Sequence, residues 1–199
     1  MPQTSLFATE PQVLVDDARG RVAYEPGFVD AAIARAWFDE MRARAPWAAQ
    51  RRRMYDREVD VPRLTARYAT DDDGAPPAIR AATVRIRAHT GIAFTSVGLN
   101  FYRDGRDSVA MHNDHLYELE PGFPIALVSL GSPRRMTIRA KEPPRRSLAL
   151  DLEPGSLLLM SYETQLHYLH GIPKTKKEDV GPRISLAFRV RPAQPGGRY

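Results

Sequence analysis

The 199-residue sequence contains no cysteine, which excludes a disulfide framework, thiolate metal sites and cysteine nucleophiles. It also lacks an apolar run approaching the roughly eighteen residues of a membrane helix, and no charged head followed by an apolar stretch opens it. Internal repeats and heptads are absent, which excludes solenoids and coiled coils. We therefore expect a cytoplasmic, monomeric globular protein without a membrane partner.

Positive charge is present in excess, with 29 lysines and arginines against 24 aspartates and glutamates and a net charge of +5. Such a balance favours an anionic partner, most simply nucleic acid. Proteins encoded by high-GC genomes are also often rich in arginine, so composition alone does not identify the partner. Basic clusters on several segments predict either a phosphate-binding rim or simply solvated charge. They are Arg51, Arg52 and Arg53; Arg134, Arg135 and Arg139; Arg145 and Arg146; and Lys174, Lys176 and Lys177.

Hydrophobic spacing predicts two helices in the first half of the chain. Apolar residues four apart indicate an amphipathic helix over residues 29–44. A second helix is predicted from Pro76-Pro77 to about residue 89, because proline is favoured in the first helical turn. Residues 1–28 are predicted to be an irregular arm with a short strand at residues 12–15.

After Gly91 the hydrophobic period changes to two, which indicates strands. Val97, Leu99 and Phe101 alternate with small or polar residues, and further short apolar runs follow. These runs predict strands over residues 125–130, 136–138, 148–152, 157–160 and 184–190. Helices followed by a series of short strands indicate an α+β protein, mainly β, built on a β-sandwich or jelly roll.

Three segments are predicted within one structural domain. Residues 1–93 are expected to form an N-terminal extension with two helices, and residues 94–191 a β-rich core. Residues 192–199 form a flexible tail.

His112 and Asp114 are candidates for a metal site in the β-rich half. In an extended segment, side chains two residues apart leave the backbone on the same side. With a second imidazole they would form the two-histidine, one-carboxylate face of oxygen-activating iron enzymes. A hydrogen-bonded surface pair is the alternative, and the neighbouring His115 offers a competing ligand. Downstream, His167 and His170 both offer a second imidazole.

Residues 183–189 alternate so that Arg183 and Arg189 share one face of a strand. Only small residues separate them on that face, which leaves space for a short dicarboxylate, and arginine forks suit carboxylates. Asn100 and Tyr102 share a face of an earlier strand, where an amide and a phenol would fix an organic acid. Solvated polar faces are the alternative in both cases.

The order and spacing of these residues resemble the AlkB-type 2-oxoglutarate/iron(II) dioxygenases. The resemblance runs from about Pro46 to Arg189. The segments that carry it are Asn100-Phe101-Tyr102, His112-Asn113-Asp114, His170, Arg183 with Arg189, Pro62-Arg63-Leu64, Pro121-Gly122-Phe123 and Gly181-Pro182-Arg183. It implies that residues 94–191 form a double-stranded β-helix, a form of jelly roll, as the catalytic core. The N-terminal helices of residues 1–93 would pack on this core, and the same extension would supply a substrate lid.

The resemblance also implies a site. Fe(II) would be held by His112, Asp114 and His170, because the distal ligand of the family precedes a pair similar to Gly171-Ile172. The positions implied for the co-substrate 2-oxoglutarate, which reacts with O2, are Asn100, Tyr102, Arg183, Ser185 and Arg189. Arg189 would lie nearer the metal-bound end and Arg183 at the far carboxylate. The candidate substrate contacts are Tyr68, Leu116, Tyr117 and Arg139.

The implied activity is oxidative demethylation of N-alkylated nucleobases in DNA or RNA, with release of succinate, CO2 and formaldehyde. Three departures bear on the substrate. Leu116 stands where repair members carry an acid that contacts the base, with Glu118 as a nearby replacement. The segment after Tyr68 lacks a lid aromatic, and Ser185 stands where repair members often carry asparagine. The alternatives are an AlkB-like oxygenase that acts on tRNA, a protein side chain or a small metabolite, and a non-catalytic nucleic-acid-binding jelly roll.

Overall fold

The structure, a computed structural model, describes residues 10–54, 57–176 and 180–193. Residues 1–9 of the predicted arm, Lys177, and residues 194–199 of the predicted tail lie outside the described residues. So do the side chains of the Arg51, Arg52 and Arg53 cluster. None of the helices in the described ranges combines the length and apolarity that crossing a bilayer requires.

The described strands form two antiparallel sheets. Their bounds are β1 (Gln12–Asp17), β2 (Gly20–Glu25), β3 (Ala48–Met54), β4 (Arg57–Ala69), β5 (Ser96–Tyr102), β6 (Val109–His112), β7 (Ile125–Gly131), β8 (Arg134–Ala140), β9 (Ser147–Leu152), β10 (Leu157–Met160), β11 (Tyr168–Ile172) and β12 (Arg183–Arg189). The larger sheet has the order β1-β2-β10-β7-β12-β5-β4-β3, and the smaller has the order β6-β11-β8-β9. From β5 to β12 the chain passes repeatedly between the two sheets, which is jelly-roll topology and confirms the predicted fold class.

Alternating side chains on the central strands divide the core into two layers. Ile184, Leu186 and Phe188 of β12 pack with the helices on the outer face of the larger sheet. A second cluster, which includes Leu127, Met136 and residues of β10 and β11, fills the space between the sheets. Residues that alternate with the first set, such as Arg183, therefore point into the roll.

Two helices cover the outer face of the larger sheet, as predicted. Helix α1 (Ala31–Arg44) begins at Asp30, whose carboxylate accepts the Ile33 N–H at 2.8 Å, and it buries Trp37 and Met41. Such a cap satisfies one of the free N–H groups of the first turn. Helix α2 (Pro77–Thr90) ends at Gly91, whose φ of 71° is a left-handed conformation that suits glycine.

Two parts of the N-terminal extension differ from the predictions. The arm is not irregular where it is described, because β1 and β2 form a hairpin and β2 pairs with β10. The segment predicted as a lid contains the long β3–β4 hairpin, and β4 pairs with β5 over Leu64–Ala69. Both hairpins therefore extend the larger sheet beyond the jelly roll.

A short helix in the second half of the chain, α3 (Tyr162–His167), was also not predicted.

Candidate active site

Two strands of the smaller sheet bring the predicted metal ligands together. His112 ends β6 and lies directly opposite His170 of β11 in the strand register, with ring centroids 4.5 Å apart. Asp114 follows β6 by two residues, and its Oδ1 lies 3.8 Å from His112 Nε2 and 4.0 Å from His170 Nε2. One ligand atom from each of the three residues falls within a 4.8 Å cluster. The other histidines of the sequence analysis, His115 and His167, lie outside this cluster.

The Asp114 carboxylate is fixed by contacts on its outer side. Nε and Nη2 of Arg189 both lie 2.6 Å from Asp114 Oδ2, and the Asp114 N–H donates to Gln165 Oε1 at 3.0 Å. Burial alone would raise the pKa of Asp114, but Arg189 and the two imidazoles lower it below its usual value. The aspartate is therefore ionised, with Oδ1 directed toward the histidines.

Both imidazoles can offer a nitrogen lone pair to a metal ion. His112 Nδ1 lies 2.9 Å from the Ala110 carbonyl oxygen, which makes Nδ1 the donor and leaves Nε2 as the acceptor. Burial and the neighbouring His112 lower the pKa of His170 to about 4. His170 is thus neutral at physiological pH, the form that coordinates a metal ion.

The cluster opens into a cavity of about 750 Å³ inside the jelly roll. This volume lies within the usual range of small-molecule sites and exceeds what a small diacid alone requires. The predicted co-substrate residues all line it: Asn100, Tyr102, Arg183, Ser185 and Arg189. Lining at the mouth comes from Arg67, His115, Glu118 and Arg191.

Arg183 forms the basic end of this cavity and is 1% exposed. Its Nη2 donates to Ser129 Oγ at 2.9 Å, and its Cζ lies 5.2 Å from the centre of the Tyr102 ring. Its Nε and Nη1 have no hydrogen-bond partner among the described residues. Burial lowers the pKa of Arg183 to about 10, so the guanidinium stays charged at neutral pH. Buried N–H donors without acceptors on a charged guanidinium suit an anionic ligand such as a carboxylate.

The same cavity therefore holds a metal-ligand cluster and a buried arginine, two of whose donors have no partner among the described residues. The model of the 2OG-Fe(II) oxygenase superfamily matches residues 21–189 of the sequence. The chain belongs to this superfamily. Membership implies Fe(II), 2-oxoglutarate and O2, and the donor set and the free Arg183 donors fit the metal and a carboxylate.

Several characterised relatives are similar to the chain. Human DNA oxidative demethylase ALKBH2 is 42% identical over 116 residues, which are 53% of this chain and 44% of that protein. Human alpha-ketoglutarate-dependent dioxygenase alkB homolog 3 is 31% identical over 196 residues, which are 89% of this chain and 68% of that protein. The chain thus spans less than half the length of ALKBH2.

Solved structures of the superfamily share the fold. The structure of OsALKBH1 matches with a TM-score of 0.56 at 14% identity and covers 90% of this chain and 100% of that chain. A Pseudomonas putida prolyl-4-hydroxylase also matches with a TM-score of 0.56, at 16% identity, and covers 86% of this chain and 93% of that chain. At these identities the likeness shows the jelly roll alone.

The four predicted substrate contacts do not line this cavity. Tyr68 packs with the core on the helix side of β4, whereas its neighbour Arg67 lines the cavity. Arg139 is exposed on β8. Leu116 and Tyr117, at 36% and 77% exposure, lie in a 3₁₀ turn (Leu116–Glu118) at the cavity mouth. The structure thus places Tyr68 and Arg139 away from the cavity and the other two beside its mouth.

Two polar residues that support the site were not predicted. Gln165, which is fully buried on α3, accepts the Asp114 N–H. Arg134, 3% exposed, donates to the carbonyls of Asp104, Asp107 and Pro173 and lies 5.6 Å from the Tyr102 ring. Their partners are backbone groups distant in sequence, which leave no motif. A cluster of arginines near a candidate site was the only available signal for Arg134.

The Asn100 amide is held by a hydrogen bond from another side chain. Arg63 Nε donates to Asn100 Oδ1 at 2.7 Å. Because the oxygen is engaged, Asn100 Nδ2 is left as the group that can donate to a carboxylate. Arg63 therefore orients the amide in the cavity wall.

Gly171→Ala is expected to weaken metal binding by about 10-fold or more. A Cβ at Gly171 would lie 2.9 Å from the Val109 carbonyl oxygen and 3.1 Å from Ala110 C, both backbone atoms of the β6 strand. The substitution would force β6 from β11 and so separate His112 from His170. Titration with Co(II) would measure the change, with Gly74→Ala as the control because it meets only a flexible aspartate side chain. Unchanged affinity would show that the strands adjust without moving the ligands.

Proposed function

We propose that the protein is an Fe(II)/2-oxoglutarate dioxygenase that removes methyl groups from N-alkylated nucleobases in DNA or RNA. One observation carries the oxygenase part of the proposal. The His112, Asp114 and His170 cluster shares a cavity with the buried, unpartnered donors of Arg183. When bound, Fe(II) and 2-oxoglutarate would supply, with O2, the oxidising power that hydroxylates an N-methyl group and so releases formaldehyde.

The residues of the chain would provide position and charge in this reaction. Strand β12 carries Arg183 and Arg189, which are six residues apart, so their Cα atoms lie about 20 Å from one another. Arg189 orients the metal-binding aspartate, and Arg183 would take the far carboxylate of 2-oxoglutarate beside Tyr102. Asn100 would donate its amide N–H to the same molecule. The roll encloses these groups and limits access of water to them.

The nucleobase part of the proposal is supported by the relatives and by the cavity mouth. Human ALKBH2 is named a DNA oxidative demethylase and is 42% identical over the matched segment. At the mouth, Arg67 and Arg191 both lie near Glu118, at 3.7 and 2.7 Å. The side chains of this group carry one positive charge in excess, which suits a phosphate-bearing strand.

Glu118 bears on the kind of base that the site accepts. Donation from Arg191 holds the pKa of Glu118 below its usual value, so it is a carboxylate at the mouth. Its charge is already balanced by two arginines, and Leu116 brings no acid. A strong preference for cationic over neutral methylated bases is therefore not expected.

Release of succinate and formaldehyde tests the proposal directly. The purified protein would be supplied with Fe(II) and 2-oxoglutarate and screened against methylated single- and double-stranded DNA, RNA and bulk tRNA. Formaldehyde formed in proportion to a lost methyl group on DNA or RNA would support the proposal. Turnover only with a protein side chain or a small metabolite would replace the nucleobase part while keeping the oxygenase part.

Binding to a single-stranded oligonucleotide is expected to weaken steeply as salt rises. Each phosphate neutralised by a basic side chain contributes about −0.7 to the slope of log affinity against log salt concentration. Arg67→Gln should make the slope shallower by about that amount, because the Arg67 side chain is 62% exposed at the mouth. Fluorescence anisotropy over a salt series measures both slopes. Equal slopes would remove Arg67 from the phosphate contacts.

A further inference from the structure

An exposed pair of stacked rings lies at the cavity mouth. The centroids of His115 and Tyr117 are 5.2 Å apart, with 21° between their planes. Both side chains are exposed, Tyr117 at 77%. Among the described residues, neither side chain forms a hydrogen bond. The two rings belong to the segment that connects Asp114 to β7, and His115 itself lines the cavity. A flat aromatic surface is thus presented to solvent at the entrance to the site.

The surroundings of this pair are charged rather than apolar. Glu118, the next residue after Tyr117, is held at 2.7 Å by Arg191 and lies 3.7 Å from Arg67. Arg191 also donates to Ser96 Oγ at 3.0 Å, so this end of the turn is tied to β5. Arg67 remains 62% exposed. The turn that carries the ring pair is thus anchored beside the exposed Arg67 guanidinium, which can bind an anion.

We propose that the stacked His115–Tyr117 pair is a base-stacking platform for an unpaired nucleic-acid strand, with Arg67 at the neighbouring phosphate. The proposal rests on the proposed function and adds how the substrate strand is held. Aromatic side chains stack with any base because every base has a π-face, and cations beside them track the backbone. A duplex offers the platform only paired bases that are already stacked. The platform therefore favours single strands and extruded bases.

The sequence gives this platform a particular role in the chain. The segment after Tyr68 carries no phenylalanine, tyrosine or tryptophan before Phe94. The described face of β4 at the mouth likewise presents Arg63, Thr65 and Arg67, not a ring. The His115–Tyr117 pair is the aromatic surface that the described part of the mouth offers to a base.

Anisotropy with a labelled oligothymidylate tests the platform. Tyr117→Ala is expected to weaken binding by roughly 5- to 100-fold, the range of one stacked base, while Tyr117→Phe keeps the ring and stays within about twofold. Phe123→Ala is the matched control, since Phe123 is an exposed ring, at 41%, that does not line the cavity. Thermal unfolding of each variant checks that the fold is retained.

A sugar–phosphate strand without bases separates stacking from charge. It should bind wild type and Tyr117→Ala equally, because it has nothing to stack, whereas Arg67→Gln should weaken its binding. Equal binding of oligothymidylate by wild type and Tyr117→Ala would overturn the platform and leave the proposed function intact. If the wild-type protein bound no strand even at low salt, both the platform and the nucleobase part of the proposed function would be lost.

Discussion

Asp114→Ala is expected to abolish iron-dependent turnover, a loss of well over about 100-fold. Substitution of groups that merely support a metal ligand costs about 10- to 100-fold, and Asp114 itself supplies one of the three clustered ligand atoms. Its loss also leaves Arg189 without the carboxylate that it contacts at 2.6 Å, so an uncompensated positive charge remains near the histidines. Calorimetric titration with Co(II) would show the loss of binding, and succinate release would show the loss of turnover.

A matched control for this prediction is His167→Ala. His167 ends α3 only three residues before His170 but does not line the cavity. Its substitution should leave metal affinity near that of the wild type, whereas His170→Ala should behave like Asp114→Ala. If His167→Ala removed metal binding and His170→Ala did not, the choice of distal ligand would be wrong.

Arg183→Met is expected to raise the dissociation constant for 2-oxoglutarate by at least about 10- to 100-fold. Hydrogen bonds to charged groups contribute about 1.5–3 kcal/mol, and Arg183 lines the cavity with two donors that have no partner among the described residues. Arg183→Lys should recover part of the affinity, since it restores the charge but not the planar fork. Calorimetry with 2-oxoglutarate measures each constant.

Thermal unfolding provides a second readout for the same substitution. A buried guanidinium without an acidic partner costs stability, so Arg183→Met should melt at or above the wild-type temperature without ligand. Added 2-oxoglutarate should raise the melting temperature of the wild type but not of the variant. Arg135→Met, which removes an exposed arginine paired with Asp151, is the control. Unchanged 2-oxoglutarate affinity in Arg183→Met would take Arg183 out of the site.

The sequence predicted those parts of the fold whose pattern is local. The alternation of β12 and β5 placed Arg183, Arg189, Asn100 and Tyr102 on the cavity side, and the structure confirms that placement. Four-residue spacing likewise predicted α1 and α2. These features depend only on the periods of strands and helices, which can be read from one segment at a time.

The features that the sequence did not predict depend on distant partners. Strand β4 contains Pro62 and several charged residues, and its strand character comes from pairing with β5 on one side and β3 on the other. Gln165 is buried because Asp114, 51 residues earlier, donates to it. Tyr68 was expected at the substrate, but in β4 it faces the helices with Leu64 and Ala66. The alternation of these residues with Arg63, Thr65 and Arg67 gives this placement only once the segment is known to be a strand.

The short strand that carries His112 has a consequence for how the protein opens. Strand β6 has four residues, lies at the edge of the smaller sheet and pairs only with β11 among the described strands. Edge segments with few backbone bonds are the first to exchange their amide hydrogens by local unfolding. A metal ion held by His112 and His170 would stabilise the pairing of β6 with β11, because each strand carries one of the two ligands. Metal loading and the protection of β6 amides would then be thermodynamically linked, so metal binding would also stabilise this edge of the jelly roll.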